Sequence, residues 1–130
     1  MERIMRFFEN DRFAKHSGIE VLEVSEGKAK AKMEIGEKHL NGVGLVHGGA
    51  IFTLADLAFA VASNSHGTAA LAINVSIAYL KATTKGTLFA EAEEVSRNPK
   101  LATYAVRVTN EDDELIALFQ GTVYRKKDKI

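Results

Sequence analysis

The chain of 130 residues contains no cysteine. That excludes a disulfide scaffold, a thiolate nucleophile and a cysteine-based zinc site. Proline is nearly absent: Pro99 stands alone, and no repeat, low-complexity stretch or linker marks a domain boundary. Net charge is absent too, because 17 Lys+Arg balance 17 Asp+Glu. A dedicated nucleic-acid binder carries a basic excess, so no nucleic-acid partner is expected. The 4 histidines, His16, His39, His47 and His66, lack the H-x-x-x-H spacing of a helical metal site, and no metal is expected. No uninterrupted apolar run spans a bilayer. Leu57 to Leu80 has no Asp, Glu, Lys or Arg, but Ser63 to Thr68 form a polar break inside it. The first ten residues carry Glu2, Arg3, Arg6 and Glu9, which is not the continuous apolar core of a targeting signal. No membrane partner is expected, and the expected compartment is the cytoplasm.

What is present is an ordinary globular composition, 46% hydrophobic and 26% charged. The length suits one domain over residues 1–130, burying roughly two-thirds of its unfolded surface. Met1, Ile4, Met5 and Phe8 recur at helical spacing and predict a short N-terminal helix within residues 1–14. Gly18 to Val24 reads as a strand. Lys28 to Ile35 alternates strictly, with Ala29, Ala31, Met33 and Ile35 on one face and Lys28, Lys30, Lys32 and Glu34 on the other. That is a half-buried strand. A glycine-rich stretch, Glu37 to Gly49, leads into Ala50–Ser63, which has good helix formers and apolar residues on all sides. Such a helix is expected to be covered all round.

Four more strands follow, at Ala69–Leu80, Leu88–Val95, Leu101–Thr109 and Leu115–Arg125, joined by turns at Thr84 to Gly86, Asn98 to Lys100 and Asn110 to Glu114. One long helix has to serve about six strands. The expected fold is therefore α+β, an antiparallel sheet wrapped around one long central helix.

Asp56 is alone in the apolar helix. One reading is an ordinary solvated carboxylate. The other is a carboxylate facing a cleft, where partial desolvation suits a base or a nucleophile. His47-Gly48-Gly49 precedes the helix. Unpaired N–H groups and the helix dipole at such a start can hold an oxyanion, and glycines let a ligand approach; a plain tight turn is the alternative. Gly48 and Asp56 are eight residues apart, roughly 12 Å along a helix axis. If both act on one carbonyl, the site lies across a two-fold interface between antiparallel helices.

Asn41 offers an amide to a carbonyl or a water, or serves as a turn residue before Gly42. His39 and His66 read as surface or loop residues. Lys81, Lys85, Arg97, Lys100 and the tail Arg125, Lys126, Lys127 and Lys129 are cations that could meet a phosphate or simply be solvated.

Asn41-Gly42-Val43-Gly44-Leu45-Val46-His47-Gly48-Gly49, followed by Asp56, gives N-x(5)-H-G-G-x(6)-D. With Asn64-Ser65-His66-Gly67 after the helix, the chain from about Gly18 to Arg125 resembles the hotdog-fold acyl-CoA thioesterases, most of all their PaaI-type, phenylacetic acid branch. The resemblance implies hydrolysis of acyl-CoA thioesters with aryl or short-to-medium acyl groups. It implies an oxyanion donor at Gly48 N–H, a general base or nucleophile at Asp56 from the partner subunit, a positioning role for Asn41 and a loop-shaping role for His47. It implies homodimers pairing into homotetramers, and no cofactor beyond the coenzyme A of the substrate. Gly49, Phe52, Phe59, Lys81 and Arg97 are the expected substrate contacts. Some relatives place a Ser or Thr on the strand after the helix to hold the attacking water. Here Ala72 falls near that position, with Asn74 and Ser76 nearby, and the role stays unassigned. A hotdog hydratase would need a histidine where Val61 stands. A non-catalytic acyl-CoA sensor is the alternative from another class.

Overall fold

The computed structural model describes residues 1–130. Its elements run α1 (Glu2–Phe8), α2 (Arg12–His16), β1 (Ile19–Ser25), β2 (Lys28–Glu34), a single 3-10 turn (Glu37–His39), α3 (Gly48–Asn64), β3 (Thr68–Tyr79), β4 (Thr87–Arg97), β5 (Leu101–Thr109) and β6 (Leu115–Lys129). All six strands form one antiparallel sheet in the order β1-β2-β4-β5-β6-β3. The sheet curls around α3, as the count of helices against strands predicts. No helix is long and apolar enough to cross a membrane.

Alternation decides the curl. On β2 and β4 the inward positions are small: Ala29 pairs with Ala92 and Ala31 with Ala90, and all are buried. Without bulk there, the helix lies close to the sheet, and Leu54, Ala55, Ala58, Val61 and Ala62 are enclosed. On β6 the small position is Gly121. The Phe59 ring lies against it so closely that a Cβ would meet Cζ at 2.6 Å. Phe59 also packs edge-on to Tyr104, with 5.9 Å between ring centroids.

Three expectations are corrected. The N-terminal helix is two helices. Asp11 adopts an extended backbone and accepts a hydrogen bond from Ala14 N–H, so a local cap starts a second helix where one was expected to continue. The central helix begins at Gly48 rather than Ala50, because the side chain of His47 caps it. Nor is that helix covered all round. Gly49 is exposed, and Phe52, Thr53, Asp56 and Ala60 are half-buried. These positions follow i, i+3, i+4, i+7 and i+11, one open stripe that a single wrapped sheet leaves unclosed.

Substituting Gly121→Ala is expected to destabilise the protein by about 1–3 kcal/mol through overpacking against Phe59. Denaturant unfolding measures it, and Phe59→Leu in the same chain should recover part of the loss.

Candidate active site

The start of α3 is built by hydrogen bonds within a few residues. His47 Nδ1 accepts from Gly49 N–H at 2.8 Å, and His47 C=O accepts from Ala50 N–H at 2.9 Å. Gly48 N–H, the first of the helix, has no acceptor within the chain. It projects from the positive end of a 17-residue helix.

Asn41 takes the turn role, one of the two the sequence left open. Its Oδ1 accepts from Val43 N–H at 3.0 Å and Leu45 N–H at 3.1 Å, so it is a turn residue. Those two bonds fix the side chain and leave its NH₂ group without a partner in the chain, free to donate. Asn41, Gly48, Tyr79 and Lys81 line one cleft of about 400 Å³. His47, Gly49, Phe52 and Thr53 line a second, of about 530 Å³, together with Phe13 of α2.

Asp56 lies in neither cleft. It faces out on the open stripe, eight residues along α3 from Gly48. Burial, and after it the charge of Asp11, raises its carboxyl above the ordinary range. Thr53, one turn earlier, donates its hydroxyl to Gly49 C=O at 2.7 Å. The hydroxyl position on the strand after the helix does not reappear. A bulge between Ala72 and Asn74 changes the phase of β3, so Asn74 and Ser76 pair with Thr122 and Gln120 on the outer face.

Some expected substrate contacts lie elsewhere in the chain. Phe59 is 1% exposed and belongs to the core, not to a pocket. The all-round apolar helix gave no sign of which face it takes. Lys81 borders the first cleft but pairs with Glu114. Arg97 sits at the far end of α3, where its guanidinium donates to His66 Nδ1 at 2.6 Å.

Of the two histidines read as surface or loop residues, His66 lies half-buried in the turn after α3 and His39 is corrected. His66 donates from Nε2 to Glu94 at 2.8 Å, and Tyr104 donates to the same oxygen at 2.8 Å. Burial alone would raise the Glu94 carboxyl, but His66, Tyr104 and Arg97 together hold it below the ordinary range. Burial, then the Glu94 hydrogen bond, raises the Tyr104 phenol. His39 is 4% exposed. Its Nδ1 accepts from Gly36 N–H at 2.9 Å and its Nε2 donates to Ser17 C=O at 2.6 Å, which fixes the orientation of the ring. Its carbonyl accepts from His47 N–H at 2.7 Å, so His39 supports the helix cap. Ser17 for His39, and Glu94 and Arg97 for His66, come from distant segments, which no local pattern announces.

Residues 43–117 match the family model described as Thioesterase superfamily. A putative esterase of Archaeoglobus fulgidus is 50% identical over 96% of this chain and 82% of its own. The acyl-coenzyme A thioesterase PaaI of Escherichia coli is 38% identical, over 91% of this chain and 85% of its own. The structure of the E. coli PaaI protein, from the phenylacetic acid degradation operon, superposes with a TM-score of 0.92 at 36% identity, covering 96% of this chain and 91% of that one. A six-stranded antiparallel sheet around one long helix at that similarity is the hotdog fold. The chain belongs to the thioesterase superfamily. It is an enzyme of the thioester-hydrolase class.

The Asp56 shift has a sign that can be tested. A carboxyl whose folded pKa lies above its unfolded value of about 4 destabilises the folded state once ionised, so stability falls as pH rises through that interval. Asp56→Asn should therefore raise the thermal midpoint at neutral pH and lose that gain below the unfolded pKa. A lower midpoint at neutral pH would contradict the assignment.

Proposed function

We propose that the protein hydrolyses acyl-CoA thioesters to a free carboxylate and coenzyme A, as a homodimer with sites shared between subunits. One observation carries this reading: the unpaired Gly48 N–H at the helix start and the desolvated Asp56 carboxylate lie on one helix, roughly 12 Å apart. No single carbonyl bridges that distance along one helix. Two antiparallel helices paired through their open stripes bring Asp56 of one subunit to Gly48 of the other.

In such a site the thioester carbonyl accepts from Gly48 N–H, and the helix dipole favours the charge that develops on it. The Asn41 amide donates to the thioester or to the water. His47 holds the loop through its cap. Asp56 of the partner subunit removes a proton from water as the oxygen adds to the carbonyl, or attacks directly and is released by water. Collapse of the tetrahedral intermediate expels the thiolate of coenzyme A. No further cofactor enters these steps. A pure binding module would have no use for a desolvated carboxylate on this stripe, which favours catalysis over sensing.

The edge strand β3 supports a dimer. Its outer backbone is unpaired, and Leu71 and Ile73 are 56% and 59% exposed. On the outer face Leu101, Leu118 and Tyr124 add exposed apolar surface, which supports pairing of dimers into tetramers. The acyl group we assign is aryl or short-to-medium. Phe13 and Phe52 line the second cleft beside Gly49, and the E. coli relative bears the name of an acyl-CoA thioesterase. Lys81 and Arg97 are the proposed partners of the coenzyme A phosphates, each after release from its present ion pair.

Two outcomes are expected when CoA release is followed across aryl and straight-chain acyl-CoAs. Asp56→Ala should lower kcat about a hundredfold or more while the protein stays folded; near-wild-type turnover would remove Asp56 from the chemistry. In the wild type, kcat/KM should fall on the acid side with an apparent pKa above that of an ordinary aspartate, since the carboxylate has to be ionised to act. A profile flat down to pH 4 would contradict the base or nucleophile role.

A further inference from the structure

Tyr79 ends the edge strand β3 and has no part in the reaction as described so far. Its side chain is 52% exposed, yet its hydroxyl donates to the carbonyl of Gly48 at 2.9 Å. A second observation is independent of that bond. A Cβ built on Gly48 would lie 3.1 Å from both Cζ and the hydroxyl of Tyr79. The tip of the ring therefore rests on the Gly48 backbone, and position 48 has no room for a side chain unless the ring moves.

The platform that carries Tyr79 is itself fixed. Leu80 N–H and Lys81 N–H both donate to Ile116 C=O, at 2.8 and 3.2 Å. Val46 N–H donates to Thr83 C=O at 2.9 Å, which ties the loop before α3 to the segment after β3. The phenol thus reaches Gly48 from a strand end with little freedom, and it lines the same cleft as Asn41 and Gly48.

We infer that Tyr79 is a positioning residue for the oxyanion donor: its hydroxyl, bonded to the carbonyl of Gly48, holds that residue so that its N–H points into the cleft. The inference rests on the proposed thioester hydrolysis. The physical need is specific. Glycine has the widest backbone freedom of any residue, and a small rotation about Gly48 swings its N–H away from a developing oxyanion. Oxyanion stabilisation depends on donors that are already in place when charge develops. The His47 carbonyl, in one peptide unit with the Gly48 N–H, accepts from Ala50 N–H at 2.9 Å and Ile51 N–H at 3.2 Å, which holds one side of the Gly48 Cα. Tyr79 adds a restraint on the other side, at the Gly48 carbonyl, and links the helix start to the strand that borders the proposed dimer. Because it acts through Gly48 rather than on substrate, its loss changes kcat and leaves KM in place.

The test is Tyr79→Phe, which keeps the ring and removes the hydroxyl. Steady-state CoA release from the acyl-CoA turned over fastest by the wild type is measured for the wild type, Tyr79→Phe and Asp56→Ala, with thermal unfolding of each. The expected result is a kcat lower by about three- to tenfold in Tyr79→Phe, a KM within about twofold, and little change in midpoint. An unchanged kcat overturns the inference. So does a rise in KM alone, which marks a substrate contact, or a fall in kcat that tracks a lower midpoint, which marks a merely structural pin. If the wild type turns over and Asp56→Ala does not, such a result counts against Tyr79 alone. If the wild type releases no CoA from any acyl-CoA, the proposed function falls and this inference with it.

Discussion

Close packing of one apolar helix against a sheet lined with small residues is the constraint on which everything else depends. Ala29, Ala31, Ala90 and Ala92 let α3 approach the sheet, and Gly121 lets the Phe59 ring approach further. A sheet this close has to curl, and six strands curl far enough to enclose most of a helix but not all of it. The remaining stripe, from Gly49 through Asp56 to Ala60, is the direct consequence. A carboxylate placed there is partly desolvated without being buried in the core. The fold thus produces a perturbed Asp56 by leaving a gap, with no dedicated pocket around it.

The other half of the site depends on how the helix starts. His39 bridges Gly36 and Ser17 with its ring and holds His47 by its carbonyl. His47 caps Gly49, and Tyr79 bonds Gly48. Two side chains from separate segments, His47 and Tyr79, therefore converge on two glycines, with the His39 backbone behind them. They satisfy the Gly49 N–H and the Gly48 C=O, while the Gly48 N–H has no acceptor within the chain. The opposite end of the helix is treated differently. There Glu94, His66, Tyr104 and Arg97 bond to one another in a network.

Much of the fold could be read from the sequence, because its signals are local. The Lys/Ala alternation of β2 and the turns flanking β5 placed those strands to within a residue or two. Asp56 stood out because a lone carboxylate in an apolar helix is costly to bury. What escaped was set by distant partners. His39 and Ser17 are 22 residues apart, and His66 and Glu94 are 28 apart, so neither the burial of His39 nor the partners of His66 could be seen. Phe59 could not be told from Phe52, because a helix apolar on all sides does not say which side meets the sheet. Asn10-Asp11 carried a capping signal that the continuing helical period of Met1, Ile4, Met5 and Phe8 concealed. The bulge in β3 shifted the strand's phase and hid Tyr79 from any count of alternation.

The shared site is the central claim, and subunit mixing tests it most directly. Gly48→Pro removes the proposed donor while keeping a residue that suits the first helical position, and His47, with ψ of 134°, already has the backbone that a following proline requires. Accommodating it asks the Tyr79 ring to yield by a few tenths of an ångström. Gly48→Pro and Asp56→Ala proteins, each inactive alone, are unfolded together in equal amounts and refolded. In a shared site every mixed dimer holds one intact pair, so about a quarter of wild-type CoA release returns. If Gly48 and Asp56 act within one chain, no mixed dimer contains an intact site, and activity stays at the level of the separate variants.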